Sequence, residues 1–314
     1  GLVNWPLRSC APAMAFASAS GIVASSARNS AKEENVLMIG SFVVSIFASV
    51  FNLLCISDKV GTTLLAQQND LFKDIALALS LLTRLPIRLD EDAYAHSARA
   101  AWAYPLVGVV TGLIACIAAK LALWIGLPLW SAAILALGAG IVATGAMHED
   151  GLGDCADGFW GGWDPAMRLK IMKDSQIGTY GVLALGITLA LRFGVLLELL
   201  RFDNWALPLI AVHVASRAVM PAIMTALPHA RDVGLSKSVG FVSKRCAQIA
   251  AGIGALALIF TLGLYGIGMT LVAAICAYLC ITLTRAKIEG QTGDVCGASQ
   301  QVTEVALFLS LLTS

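Results

Sequence analysis

Charged residues are scarce in this sequence. Asp, Glu, Lys and Arg make up only 13% of its 314 residues, whereas hydrophobic residues make up 58%. A soluble enzyme carries about twice that share of charge. The formal net charge is +1, so the basic excess that nucleic-acid-binding proteins concentrate on one face is missing as well. The composition indicates a polytopic membrane protein and argues against nucleic acid as a partner.

The sequence also lacks a CxxC pair among its eight cysteines. Cys55, Cys116, Cys276 and Cys280 lie inside apolar runs. We interpret these cysteines as small core residues, because neither a disulfide framework nor a zinc site is indicated by their spacing.

Residues 1–70 differ from the remainder. They contain a Ser- and Ala-rich stretch without clear periodicity and one apolar segment, 36–56, that is long enough to span a bilayer. We expect an N-terminal extension with one membrane helix, dispensable for the chemistry. Residues 71–314 are expected to form the membrane-embedded catalytic domain.

Long apolar runs dominate that second part. Each of the six longest is close to the roughly 20 residues that the hydrocarbon core requires: 104–126, 129–147, 179–200, 205–227, 249–264 and 268–283. A shorter run, 302–313, follows them, and 71–82 is predicted to be an interfacial or half-helix. The fold class predicted is an all-α polytopic membrane bundle of about six to eight spans.

The loops between the runs alternate in character. Connections 83–103, 148–178, 228–248 and 284–301 are long and rich in Lys and Arg, whereas the connections between them are short and hold a single basic residue, Arg201. Two spans separate each long loop from the next, so all four are expected on one side. The positive-inside rule predicts that this side is the cytoplasm.

An acidic motif opens the second long loop. If residues 148–158 continue the preceding helix, Asp150, Asp154 and Asp157 stand at i, i+4 and i+7 and project from one face. Like charges at this spacing repel one another, so the pattern predicts a site for Mg²⁺, with Mn²⁺ as an alternative. The other interpretation of the motif is a hydrated acidic loop.

Further polar groups are predicted to converge on the same face. Lys173 and Asp174 follow the motif, Arg231 lies in the third long loop, and Asp294 lies in the fourth. Aspartates that hold a metal, beside basic donors and glycine-freed backbone amides, are the parts that phosphoryl transfer requires. Asp157 and Asp174 stay open as alternatives for the general base, and Lys173 is predicted to contact phosphate.

The motifs together resemble a known family. The pattern His148-x-Asp150-Gly151-Leu152-x-Asp154-x-x-Asp157-Gly158, followed by Met172-Lys173-Asp174-Ser175-x-Ile177-Gly178-x-x-Gly181, is similar to that of cobalamin synthases, the adenosylcobinamide-GDP ribazoletransferases. The resemblance covers about residues 71–313. It implies a Mg²⁺-dependent enzyme of the bacterial inner membrane with its active site facing the cytoplasm, in an architecture related to the CDP-alcohol phosphotransferases.

The resemblance also implies substrates and roles. The 5′-hydroxyl of α-ribazole, or of its 5′-phosphate, attacks the cobinamide-bound phosphate of adenosylcobinamide-GDP, and GMP leaves. The metal ligands expected are Asp150, Asp154, Asp157 and Asp174. The substrate-binding residues expected are Arg84, Arg217, Arg231, Asp294, Gln300 and Gln301. Membrane lipid is an expected partner, and a homo-oligomer or contact with other corrinoid-pathway enzymes would be compatible with this function.

Several alternatives remain open at this stage. A lipid enzyme of the CDP-alcohol phosphotransferase type would use similar aspartates, and an ion-coupled transporter would place acids at the bilayer midplane. Arg192 and Glu198, inside one apolar run, are predicted to pair with each other or to snorkel. His148 is predicted to be an interfacial hydrogen-bonding residue. Glu149 is predicted to contact the metal ligands without binding the metal itself.

Overall fold

The computed structural model describes residues 62–313 and the side chains of residues 70–313. Within this range the chain is helical, and its only β-type contact is an isolated bridge between His229 and Gln291. The helices are Thr62–Leu82 (α1), Glu91–Tyr94 (α2), Ser97–Ala100 (α3), Tyr104–Trp124 (α4), Leu129–Thr144 (α5), Met147–Gly161 (α6), Pro165–Ile171 (α7), Thr179–Leu199 (α8), Ala206–Ala226 (α9), Leu235–Val239 (α10), Lys244–Leu262 (α11), Leu264–Ile288 (α12) and Gly293–Leu311 (α13). The segment 36–56 lies outside the described residues.

Five helical segments of the described chain are long and apolar enough to cross a membrane. They are Ser97–Trp124, Thr179–Leu199, Ala206–Ala226, Lys244–Leu262 and Leu264–Ile288. The bent pair of α5 and α6 raises the number to six if it counts as one span. The predicted class, a polytopic helical membrane protein, is therefore confirmed, and the described residues alone supply five or six of the predicted six to eight spans.

A sharp bend separates α5 from α6. The sequence predicts that residues 129–147 form one span, and the i, i+4, i+7 interpretation starts from the condition that the acidic motif continues that helix, but the helix ends at Thr144 and α6 leaves at 86°. The cause is a left-handed pair, Gly145 at φ 65° and Ala146 at φ 58°. A Cβ at Gly145 would lie 2.4 Å from Arg84 Nε, so glycine provides both the backbone conformation and the space for that side chain. The prediction of a continuous helix is wrong, although the motif itself is helical.

Helix α9 forms the centre of the bundle. Most of its side chains are buried, and α4, α11 and α13 all pack against it. Alanine, valine and methionine dominate its inward positions, so neighbouring helices approach closely. The helix therefore connects the membrane core to the polar end of the molecule.

Helix α13 is longer than its apolar run predicts. It begins at Gly293, well before residue 302, because Thr292 caps it by accepting a hydrogen bond from Val295 N (3.3 Å). Its first half is polar, but Ser299, Gln300 and Gln301 are buried against the bundle. Hydropathy alone does not detect this half, because these polar side chains are satisfied inside the protein and not by lipid.

Candidate active site

The three aspartates of the acidic motif lie on α6 in different environments. Asp150 is exposed, Asp154 is partly buried, and Asp157 is only 9% exposed. Their i, i+4, i+7 spacing holds in the structure because Met147–Gly161 is continuous α-helix. The three aspartates differ in exposure because different elements of the fold cover successive turns of α6.

Helix α13 brings a fourth carboxylate to the motif. At Gly151 a Cβ would lie 2.6 Å from the backbone oxygen of Asp294, so α6 and α13 cross in direct backbone contact there. Asp294 stands in the first turn of α13, and its Oδ2 accepts a hydrogen bond from the Thr292 hydroxyl (3.2 Å). The crossing thus places a residue from the fourth long loop beside the motif of the second.

These carboxylates influence one another electrostatically. The negative charges of Asp294, Asp150 and Asp157 act on Asp154, and among the described residues the Arg231 guanidinium opposes them. Arg231 Nη1 donates to Asp294 Oδ2 (3.1 Å), and its Nη2 donates to the Leu169 carbonyl (3.0 Å). Burial raises the pKa of the Asp294 carboxyl, and Arg231 works against that rise. We name Asp150, Asp154 and Asp294 the acidic cluster.

An open pocket lies next to this cluster. Asp150 and Asp294 line it together with basic and hydroxyl side chains from the third and fourth long loops; these are His229, Arg231, Ser236, Lys237 and Thr292. His229 Nδ1 lies 2.9 Å from Gln291 Nε2, which joins the two loops. These contacts bring Asp150 of the second long loop together with residues of the third and fourth long loops. We call this space the polar pocket.

Asp157 has a different role from its two neighbours on the motif. Its Oδ2 accepts a hydrogen bond from Gly178 N (2.7 Å), and its Oδ1 accepts one from Gly181 N (2.9 Å). A Cβ at either glycine would lie 2.4–2.5 Å from the carboxylate oxygens. The carboxylate caps the N-terminus of α8, and the glycines of the second motif leave room for it.

Lys173, Asp174 and Arg84 lie outside the polar pocket. Lys173 and Asp174 are exposed in the turn between α7 and α8, where Asp174 Oδ1 accepts a hydrogen bond from Gln176 N (3.1 Å). Arg84 is exposed against Gly145 at the bend between α5 and α6. None of the three lines the polar pocket together with Asp150 and Asp294.

A buried ionic network lies beneath the acidic cluster. Arg192 of α8 pairs with Glu149 of α6 and with Glu304 of α13, both at 2.8 Å. Glu198 pairs instead with Arg201 (3.1 Å) at an exposed position. The predicted pairing of Arg192 with Glu198 is wrong, because α6 and α13 supply two closer carboxylates in the interior.

Arg217, Gln300 and Gln301 belong to this network and do not line the polar pocket. Gln301 Nε2 donates to Glu149 Oε1 (3.1 Å), and Gln300 Nε2 donates to Ser216 Oγ (3.0 Å). Arg217 Nη1 donates to the His213 carbonyl (3.0 Å) and lies 3.7 Å from Glu304 Oε2. The network joins the motif helix, α6, to α8, α9 and α13.

Comparisons with known proteins identify the family. The family model for cobalamin-5-phosphate synthase matches residues 74–312. The chain belongs to the cobalamin-5-phosphate synthase family. No solved structure matches it.

Curated relatives carry a consistent name. The chain is 43% identical to the adenosylcobinamide-GDP ribazoletransferase of Mesorhizobium japonicum over 240 residues, which is 75% of this chain and 91% of the relative. It is 42% identical to the enzyme of the same name from Brucella anthropi, over 78% of this chain and 98% of the relative. The corresponding protein of Bradyrhizobium diazoefficiens is 41% identical, over 75% and 92%.

Within this cobalamin-5-phosphate synthase family member, sequence reasoning missed Lys237 and Ser236 of the polar pocket. The only available signal was that Lys237 is a basic residue in a long loop. His148 is only 1% exposed, so it is enclosed by protein, and its predicted position at the membrane interface stays a prediction. It is enclosed because α6 turns into the bundle after the bend.

The donor set fits a divalent cation, although the part of the chain that is described holds no preformed cluster of three or more metal-ligating side chains. Carboxylate oxygens are the ligands that Mg²⁺ and Mn²⁺ prefer. Asp150 and Asp154 repel each other and Asp294, with one guanidinium to offset them. A cation between these carboxylates would remove that repulsion.

Proposed function

We propose that this protein is an adenosylcobinamide-GDP ribazoletransferase that acts in cobalamin biosynthesis. The 5′-hydroxyl oxygen of α-ribazole, or of its 5′-phosphate, forms a bond to the cobinamide-bound phosphorus of adenosylcobinamide-GDP. The bridging P–O bond breaks, GMP leaves, and the hydroxyl proton is lost. The observation that carries the proposal is the pocket that Asp150 and Asp294 of the acidic cluster line together with Arg231 and Lys237, within a chain that belongs to this family.

Asp150 and Asp154 are proposed to hold Mg²⁺, with Asp294 as the third carboxylate. When bound, the ion would neutralise charge on the pyrophosphate oxygens. Arg231 and Lys237, which line the same pocket, are proposed to position the phosphates, which charge complementarity favours. Phosphoryl transfer depends mainly on such positioning and charge stabilisation.

The contacts of Asp157 reduce the number of candidates for the residue that accepts the hydroxyl proton. Both of its oxygens accept backbone hydrogen bonds, so we propose that Asp157 positions the turn between α7 and α8 and does not take up the proton or bind the metal. Asp174, in that same turn, remains the candidate base. Lys173 beside it remains a candidate phosphate contact that would need the turn to approach the polar pocket.

We place the polar pocket on the cytoplasmic side of the bacterial inner membrane. The three long loops that build it hold nine of the 21 Lys and Arg residues, whereas the short connections hold Arg201 alone, and the positive-inside rule assigns such basic loops to the cytoplasm. Nucleotide substrates are present in that compartment. An active face like that of the CDP-alcohol phosphotransferases is part of this proposal.

The test is turnover by the purified protein in lipid. GMP release from adenosylcobinamide-GDP and α-ribazole is measured with Mg²⁺, with Mn²⁺ and with a chelator, for the wild type, Asp154→Asn and Asp164→Asn. Asp164 is a matched control because it caps α7 on the surface, accepting from Met167 N, and asparagine caps a helix as well as aspartate does.

We expect metal-dependent GMP release that is lost in Asp154→Asn and kept in Asp164→Asn. Cobalamin, or its 5′-phosphate, should form in equal amount to the GMP. A silent wild type under all metal conditions would contradict the proposal. Turnover of CDP-alcohol donors in its place would identify a lipid enzyme.

A further inference from the structure

One guanidinium connects three helices in the interior of the bundle. Arg192 of α8 donates from Nη1 to Glu149 Oε1 of α6 (2.8 Å) and to Gln301 Oε1 of α13 (2.9 Å). Its Nη2 lies 2.8 Å from Glu304 Oε1, which is also on α13. All four residues are at most 7% exposed. Charged contacts that are buried in this way are directional and little screened by solvent, so they hold α6 and α13 together.

The backbones of α6 and α13 approach each other closely at two places. A Cβ at Gly151 would lie 2.6 Å from the backbone oxygen of Asp294, and a Cβ at Gly297 would lie 3.1 Å from His148 Cα. The two helices therefore lie against each other and run in opposite directions along this stretch. A shift of one helix along the other would change the separation between the carboxylates that they contribute to the acidic cluster.

The charges of the acidic cluster act against this packing. Asp150 and Asp154 belong to α6 and Asp294 belongs to α13, so without a cation their mutual repulsion pushes the two helices apart. Arg231 offsets part of the repulsion through its contact with Asp294 (3.1 Å). The buried contacts of Arg192 have the opposite effect to the repulsion, because they draw the same two helices together.

We propose that Arg192, Glu149 and Gln301 are positioning residues that fix the spacing of the acidic cluster across α6 and α13 and so set its affinity for a divalent cation. The proposal rests on the proposed function, which assigns the cation to this cluster. All three residues lie outside the polar pocket, so they act through the helices and not by touching the substrates. Ligands that are already held at their final spacing bind a cation more tightly, because less order is imposed on binding.

The contacts of Arg192 Nη1 allow a carboxylate and an amide to be exchanged between the two helices. Nη1 donates to one oxygen of Glu149 and to one of Gln301, and Gln301 Nε2 donates to Glu149 Oε1 (3.1 Å). Glu149→Gln alone leaves an excess positive charge in the network, and Gln301→Glu alone places two carboxylates side by side. The double variant again has one carboxylate and one amide at Arg192. The hydrogen bond from Gln301 Nε2 to Gln300 Oε1 (3.0 Å) is not restored by the exchange.

The test is direct binding of Mn²⁺, without substrates, to the purified protein in lipid nanodiscs. Electron paramagnetic resonance of the free ion gives the Kd for the wild type, for the three exchange variants and for Gln301→Met, which removes the amide without changing the charge. Asp154→Asn should lose the binding, which assigns it to the acidic cluster. Trp102→Phe is the matched control for Gln301→Met, because Trp102 Nε1 donates to the buried Asp74 carboxylate (3.0 Å) on α1. Each of these two variants removes one N–H donor from a buried carboxylate.

In Glu149→Gln, Gln301→Glu and Gln301→Met we expect the Kd for Mn²⁺ to rise about tenfold or more, as is usual when the groups that support metal ligands are altered. The double variant should recover most of the loss. Trp102→Phe should bind Mn²⁺ like the wild type, even where its unfolding temperature falls as far as that of Gln301→Met. The Mg²⁺ concentration for half-maximal GMP release should rise in proportion to the Kd. Thermal unfolding identifies any variant that fails to fold, and Gln301→Met tests the inference without altering a charge.

An effect of charge alone makes the opposite prediction for one variant. An added carboxylate near the cluster attracts the cation, so Gln301→Glu would then bind Mn²⁺ more tightly than the wild type does. That result, or a wild-type Kd in folded Gln301→Met, would overturn the inference. Absence of Mn²⁺ binding in the wild type, or full binding in Asp154→Asn, would overturn it as well. A wild type that binds Mn²⁺ at the cluster but releases no GMP would count against the proposed function and leave the positioning role supported.

Discussion

Asp157 and Asp154 share a motif and a helix, yet the structure predicts opposite consequences of the same substitution. In Asp157→Asn one oxygen still accepts a backbone hydrogen bond, but the amide nitrogen faces the other N–H donor. Losing one hydrogen bond to a charged group costs about 1.5–3 kcal/mol. Losing the negative charge at the N-terminus of α8 costs about 0.3–1 kcal/mol more. The free energy of unfolding should therefore fall by about 2–4 kcal/mol.

Asp154→Asn should not destabilise the protein in this way. Asp154 experiences repulsion from Asp150 and Asp294, and a neutral side chain removes it. The unfolding temperature without metal should be unchanged or higher, and a Mg²⁺-induced rise in that temperature should disappear. The assay is thermal unfolding in lipid nanodiscs, followed by the loss of helical circular dichroism, with and without Mg²⁺.

The reasoning would be refuted by the reverse pattern. If Asp157→Asn unfolds at the wild-type temperature and loses only the Mg²⁺-induced rise, Asp157 is a metal ligand. Its hydrogen bonds to the backbone of α8 then contribute little to the stability of the fold. If Asp154→Asn is strongly destabilised without metal, the charge of Asp154 stabilises the folded protein, and the inferred repulsion from Asp150 and Asp294 is not the dominant effect.

Two further predictions concern the glycines of α8 and the buried network. Gly181→Ala should destabilise the protein by about 1–3 kcal/mol, because its Cβ would collide with the Asp157 carboxylate, whereas Gly186→Ala in open space on the same helix should be neutral or stabilising by up to about 1 kcal/mol. Glu304→Gln should cost about 3–5 kcal/mol by leaving Arg192 under-compensated in the interior, whereas Glu198→Gln at the surface should cost about 1 kcal/mol or less.

Unfolding temperatures of the four variants check both predictions. Equal effects of Gly181→Ala and Gly186→Ala would mean that the close contact with Asp157 does not exist. Equal effects of Glu304→Gln and Glu198→Gln would mean that the network is hydrated like the surface, so burial would no longer explain its strength.

The motif glycines illustrate how far sequence reasoning reaches. The spacing of Gly178 and Gly181 is visible in the sequence and helps to identify the family, but nothing in it explains why those positions lack a side chain. The reason is the Asp157 carboxylate, more than twenty positions earlier, which occupies the space. Local periodicity defines the face of a helix, but it does not identify the element that will cover that face.

The sequence by itself determined the membrane class, the apolar runs, the i, i+4, i+7 acids and the resemblance to the cobalamin synthases. These features depend on composition and on contacts within one helical turn or one span. The tertiary structure decided that Asp294 joins Asp150 and Asp154, that Asp157 turns to the backbone of α8, and which carboxylates pair with Arg192. Those outcomes depend on the 86° bend at Gly145 and on the crossing at Gly151, because such contacts join helices far apart in the chain.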